Sequence, residues 1–181
     1  MRVVARLLPI ALIILIVTAA LVIFTRRPDL EDARKQVDST WTAATPALDA
    51  RYALLATATK AVHGTPGPVG QVATEVDARL QDWLEARTHN NRDQAIAVAN
   101  DLDGLGRRFV LVVQHSPRLS ANPDVMNAVN AFAHAPEPAE VTRFSEAVQS
   151  YSDERQGPVG GIVAQMFGYG SVPNIANAPS A

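Results

Sequence analysis

Leu7 to Phe24 is an unbroken stretch of 18 residues without a charge, with Arg2 and Arg6 before it and Arg26 and Arg27 after it. Coiled as a helix at about 1.5 Å per residue it reaches roughly 27 Å, close to the hydrocarbon thickness of a bilayer. A cleaved signal peptide is the competing reading: such a peptide has an apolar core of about 7–15 residues ahead of a small-residue cleavage site. Thr18-Ala19-Ala20 fits that site loosely, but Leu21-Val22-Ile23-Phe24 carries the apolar run past it. The sequence therefore predicts a retained single-pass anchor over residues 1–27, with Pro9 in its first turn, where a missing N–H costs least. Positive charge favours the cytoplasmic side, and Arg2, Arg6 and the α-amine oppose Arg26, Arg27, Arg34 and Lys35. The flanks nearly balance, which leaves the side of the membrane open.

All 18 acidic residues lie beyond the run, so the remainder of the 181-residue chain is mildly acidic. Nucleic-acid binding wants the opposite, a basic face. The chain has no cysteine, which removes a disulfide framework, thiolate catalysis and cysteine-based zinc sites.

Beyond the anchor the apolar spacing is helical. Pro28-Asp29-Leu30-Glu31 reads as a helix start, with proline early and acids at the positive end of the helix dipole. Trp41, Leu48, Leu55 and Val62 are seven apart and share one stripe, with a bend expected at Pro46. The glycines and prolines of residues 63–70 predict a loop. A second helix places Val72, Val76, Leu80 and Trp83 on one face, and Thr88 to Asn91 breaks it. A third carries Ile96, Ala99, Leu102, Leu105 and Phe109 inward, ending at Ser116-Pro117. Asn122-Pro123-Asp124 restarts a helix as cap, first-turn proline and acid, followed by Val125, Val129 and Phe132. After a break at residues 135–138, Val141, Phe144, Val148 and Tyr151 resume the period. No useful segment alternates with period two. The expected fold is all-α: an N-terminal transmembrane helix, then an antiparallel long-helix bundle of about four helices over residues 28–156. The predicted core anchors are Trp41, Leu48, Leu55, Trp83, Phe109, Phe144 and Tyr151.

Residues 157–181 change character. The segment is glycine-rich yet apolar, and Ile162, Met166 and Tyr169 share a face if it forms a short helix. With Phe167 these are the candidate partner contacts, and docking on the bundle or on the membrane are the other fates open to them. Residues 174–181 are expected to be disordered.

Catalytic and cofactor signatures are absent from the sequence. His63, His89, His115 and His134 are scattered and form no His-x-x-x-His pair, so no metal site is assigned. Glu31/Asp32, Asp101/Asp103 and Asp153/Glu154 read as solvated faces or dipole partners. Gly104-Leu105-Gly106-Arg107-Arg108 lacks the strand and the Gly-Lys-Ser/Thr ending of a phosphate loop. Its glycines read as close-packing points and its arginines as solvent-facing. Ser145, Ser150 and Ser152 have no partnered base within a readable motif. The chain is expected to be non-enzymatic, without catalytic residues or cofactor.

Val37-Asp38-x-x-Trp41 and Ala47-Leu48-x-x-Arg51-Tyr52-x-x-Leu55, behind a membrane anchor, resemble the LemA family of bacterial membrane proteins. Ser116-Pro117-Arg118-Leu119-Ser120-Ala121-Asn122 is similar to that family's Tyr-Pro-x-Leu-x-Ala-Asn turn. Phe144-Ser145-x-Ala147-Val148-x-x-Tyr151-Ser152 is similar to its Tyr-Asn-x-Ala-Val-x-x-Tyr-Asn repeat. Gly157-Pro158, then Ile162, Ala164 and Phe167-Gly168-Tyr169, resembles its closing pattern. The motifs are collinear from about Leu7 to Ile175. The family's Arg-Arg-Ala-Asp-Leu-Ile-Pro-Asn-Leu segment is replaced here by Ala50-Arg51-Tyr52-Ala53-Leu54-Leu55, and its Tyr-Phe-Glu by Pro173-Asn174-Ile175. The resemblance implies a single-pass protein of the bacterial plasma membrane with a long-helix bundle, no established enzymatic activity and no catalytic residues to carry over. Some members place the N-terminus outside and the bundle in the cytoplasm.

The function expected from these features is that of a membrane-tethered adaptor or accessory subunit of a larger envelope complex, with other membrane proteins as partners. The loop at 64–70 and the apolar tail are its candidate contacts. The alternative is a tethered module that binds a lipid or other apolar ligand between its helices, lined by Trp41, Trp83 and Phe109.

Overall fold

The structure, a computed structural model, describes residues 2–175, with side chains described from Arg27 onward. These residues form seven α-helices and no strand: α1 Arg2–Ala61, α2 Pro68–Thr88, α3 Arg92–Gln114, α4 Pro117–Ser120, α5 Pro123–Ala133, α6 Ala139–Gln156 and α7 Gly160–Phe167. The expected membrane segment, Leu7 to Phe24, lies where side chains are outside the described residues. Among the described residues no helix is long and apolar enough to cross a membrane. The chain forms two compact units, one of residues 1–39 with 146–172 and one of 40–145 with 173–181.

In the larger unit the helix ends follow from local chemistry. The Asn91 side chain accepts from the Gln94 amide at 3.2 Å and starts α3. Asn122 accepts from the amides of Asp124 at 3.0 Å and Val125 at 3.4 Å and starts α5. Prolines occupy the first turns of α2, α4 and α5, where an amide would have no partner inside the helix. α2 ends as Asn90 takes φ 51°, which sends the Asn91 amide back to the Ala86 carbonyl and the Asn90 amide to that of Arg87. α1 runs through Pro46 as one helix, with the Thr45 hydroxyl bonded to the Trp41 carbonyl at 2.8 Å. The break expected at residues 63–70 is shorter, because Pro68 already opens α2. α4 is an extra turn that the hydrophobic period does not reveal, with Leu119 buried.

Long-range pairs give the helix register in this unit. Asp49 meets Trp83 and Thr59 meets Asp77, so α1 and α2 are antiparallel. Glu75 meets Arg108 and Arg79 meets Asp101, so α2 and α3 are antiparallel as well. The core is filled by Leu48, Tyr52 and Leu55 of α1, Val62 just after it, Val72, Val76 and Trp83 of α2, and Ile96, Leu102, Phe109 and Val113 of α3. Gly106 is where another helix comes close: a Cβ there would sit 2.6 Å from the Phe132 ring, whereas one at Gly104 would meet nothing. The close-packing reading therefore holds for Gly106 alone. Arg107 and Arg108 are exposed, as their spacing suggested.

The smaller unit buries Leu30 and Val37 of α1, Val148 and Tyr151 of α6, and Val163 and Ala164 of α7. Here α7 follows α6 closely. A Cβ at Gly160 would run into the Glu154 carbonyl, so that approach requires glycine.

Candidate functional site

Seven residues apart, the expected stripe members Leu48 and Leu55 on α1 and Val62 in the turn after it are all buried. Trp41 is half-buried and is a correction to the predicted core. Its ring centre lies 5.2 Å from that of Phe144 and 6.4 Å from that of Trp83. Trp83, Phe109, Phe144 and Tyr151 are buried as expected. The structure thus brings Trp41, Trp83 and Phe144 into one aromatic cluster, extended by Tyr52, whose ring meets Trp83 edge-on at 5.0 Å.

Beside that cluster α1 and α2 form a groove of about 620 Å³. Tyr52, Ala53, Ala56, Leu80, Trp83 and Leu84 supply its apolar surface, and Leu84 is 55% exposed. Polar groups close its ends. The Trp83 indole N–H donates to Asp49 at 2.9 Å, and Asp49 pairs with Arg87 at 3.4 Å. The Arg87 guanidinium lies 5.9 Å from the Trp83 ring, and its Nε is buried without a hydrogen-bond partner among the described residues. At the other end the Thr59 hydroxyl donates to Asp77 at 2.7 Å. Of the three residues expected to line a ligand cavity, only Trp83 borders this groove. Phe109 is fully enclosed, and Trp41 lies elsewhere in the cluster.

Behind the groove, Arg51 ties three helices of the unit. Its Nε pairs with Asp103 at 3.3 Å, its Nη1 donates to the Ala135 carbonyl at 3.3 Å, and its guanidinium lies 4.9 Å from the Phe132 ring centre. Burial raises the Asp103 carboxyl above its ordinary range, against the opposing pull of Arg51 and Arg107. Burial also raises the Tyr52 hydroxyl, aided by the Asp103 charge. That hydroxyl keeps its proton and donates it to the Ala99 carbonyl at 3.2 Å, a structural hydrogen bond.

Around the loop at 64–70, Pro66, Pro68, Val69, Leu111 and Val112 border a smaller concavity of about 410 Å³. Leu111 is exposed there. Three of the four histidines finish helices: His115 and His134 place Nδ1 2.7 Å and 3.0 Å from the carbonyls of Leu111 and Asn130, and His89 caps α2. Among the described residues no group of three or more His, Asp or Glu could hold a metal ion.

In the smaller unit the tail residues divide. Ile162, Met166 and Phe167 are exposed on α7, while Tyr169 falls after the helix end and is half-buried. Tyr169 therefore does not share the helical face of Ile162 and Met166. Gly168, at φ 72°, ends α7 and turns the Tyr169 amide back to the Ala164 carbonyl. Asn174 and Ile175, expected to be disordered, are ordered: Asn100 donates to the Asn174 carbonyl at 3.2 Å, and Ile175 is buried. A single apolar side chain inserted in the larger unit holds that end. Residues 176–181 lie outside the described residues.

Asp49, Arg87, Thr59, Asp77 and Asp103 belong to the groove and its support without having been singled out for it in the sequence. Their partners are 18 to 52 positions away, and no local pattern marks such pairs. No family model matches the chain, and neither a curated protein nor a solved structure matches it.

Proposed function

We propose that the chain is a LemA-like, single-pass bacterial membrane protein whose helical part acts as a non-enzymatic adaptor or accessory subunit of a larger envelope complex. Residues 7–24 serve as its anchor. The observation that carries this reading is the groove between α1 and α2, which offers Leu84 and a wall of small and aromatic side chains to an apolar surface. Its ionisable groups support the same reading, since Asp49, Asp77 and Arg87 are engaged with neighbouring side chains. Such a surface suits a partner helix laid along it.

A tagged pull-down from native membranes in mild detergent tests the reading, with wild type beside Leu84→Glu. A stoichiometric set of membrane proteins that the variant loses is the expected result. Recovery of the chain alone, or only with itself, overturns it. The second reading, a tethered module for an amphipathic apolar ligand, is favoured by Arg87 Nε, a buried donor without a hydrogen-bond partner among the described residues, in a residue that borders the same groove. Lipid extracted with the wild type and not with Leu84→Glu would establish that alternative.

A further inference from the structure

The smaller unit carries a surface that the adaptor reading does not use. Ile162 is 52% exposed, Met166 63% and Phe167 38%, and α7 contains no charged residue. Ile162 and Met166 are four apart and therefore stack on one side of the helix, with Phe167 beside them. Contacts within the unit fix α7 firmly. Val163 and Ala164 are buried on its other side. The Tyr151 hydroxyl donates to the Gly170 carbonyl at 2.7 Å just beyond it. The Arg27 guanidinium lies 4.7 Å from the centre of the Phe167 ring.

That last contact says what lies opposite. Arg27 comes three residues after Phe24, the last residue of the uncharged run, a rise of roughly 4.5 Å along α1. If the run spans the bilayer, Phe167 stands at the depth of the headgroups, with an arginine on one side and the acyl boundary within reach. Uncharged apolar side chains with a cation at that level match the interface of an anionic membrane.

We propose that the Ile162/Met166/Phe167 face of α7 seats in the membrane interface as a second, peripheral attachment beside the anchor. The proposal rests on the reading of residues 7–24 as a membrane span. The bilayer is its occupant, and a protein partner on this face is the competing outcome of the test.

The chain has no cysteine, so single probes can be placed without background. The full chain is reconstituted in vesicles of phosphatidylcholine and phosphatidylglycerol, carrying an environment-sensitive fluorophore on Met166→Cys, Ile162→Cys, Leu84→Cys or Leu15→Cys. Emission is then read with lipids spin-labelled at shallow or deep positions. The expected result is a blue shift and shallow quenching at positions 162 and 166, deep quenching at 15, and neither effect at 84. Quenching at 15 with none at 162 and 166 overturns the proposal and leaves the anchor standing. Absence of quenching at 15 overturns the anchor, and the proposal with it. Protection of Met166→Cys from a water-soluble maleimide in native membranes, without quenching in the vesicles, assigns the face to a protein and overturns the lipid assignment.

Discussion

Two exposed apolar surfaces, the α1–α2 groove and the α7 face, are built in opposite ways. The groove is framed by polar pairs that reach across helices: Asp49 with Trp83 and Arg87, and Thr59 with Asp77. The α7 helix carries no charged residue of its own, and the cation beside Phe167, Arg27, comes from another helix. A framed groove holds its shape and selects by direction. An unframed face selects only for a medium that accepts hydrocarbon. The contrast teaches that exposed apolar area alone does not say what kind of surface will cover it, whereas the polar groups bordering it do.

Substitutions can break this comparison. The largest effect is expected at Trp83, which joins the groove to the core. Trp83→Ala should cost about 4 kcal/mol, and the half-buried Trp41→Ala about half of that, both followed by urea unfolding. Equal losses would show that the groove wall is no firmer than the edge of the cluster. Next, Arg51→Ala should cost about 3 kcal/mol at neutral pH, because it leaves the Asp103 carboxylate buried without its partner. The pH dependence of that loss has a definite sign. The folded-state Asp103 carboxyl is already raised, and losing Arg51 raises it further, so the folded chain binds this proton more tightly than the unfolded one. Its contribution is full below the ordinary carboxylate range and is lost as pH rises through the raised value. The Arg51→Ala defect should therefore shrink on acidification, and a defect that grows would contradict the burial assigned to Asp103. The smallest effect is expected on α7: Ile162→Ser and Met166→Ser should change thermal stability by under about 0.5 kcal/mol in detergent. A large loss there would mean that the face is part of the packing after all.

How much of this was legible in the sequence depends on the range over which each feature acts. Asn122 and Pro123 set a helix start through atoms a few residues away and stand where the chain suggested, whereas Pro68, read as loop, already opens α2. Leu48, Leu55, Trp83 and Phe109 are buried because helical period decides the face. The period says nothing of how complete the enclosure is, which is why Trp41 reads like its stripe partners and is only half-covered. Arg51 and Asp103, 52 positions apart, meet because three helices converge. Ile175 is held by burial and Asn174 by its bond to Asn100, in a stretch whose composition alone suggests a loose end. The candidate site was therefore visible as ingredients, such as the tryptophans and the apolar tail, and not as an arrangement.

The left-handed turn at Asn90 has an evolutionary consequence. It is the only non-glycine residue at positive φ among the described residues, and it closes α2 at an exposed link where no neighbour depends on its side chain for packing. Glycine adopts that conformation without a Cβ penalty, so Asn90→Gly should raise the melting temperature slightly, by about 0.5 kcal/mol of stability. The link between α2 and α3 thus holds an unclaimed reserve, one mutational step away, on which costlier changes in the groove can draw as the protein adapts to a new partner.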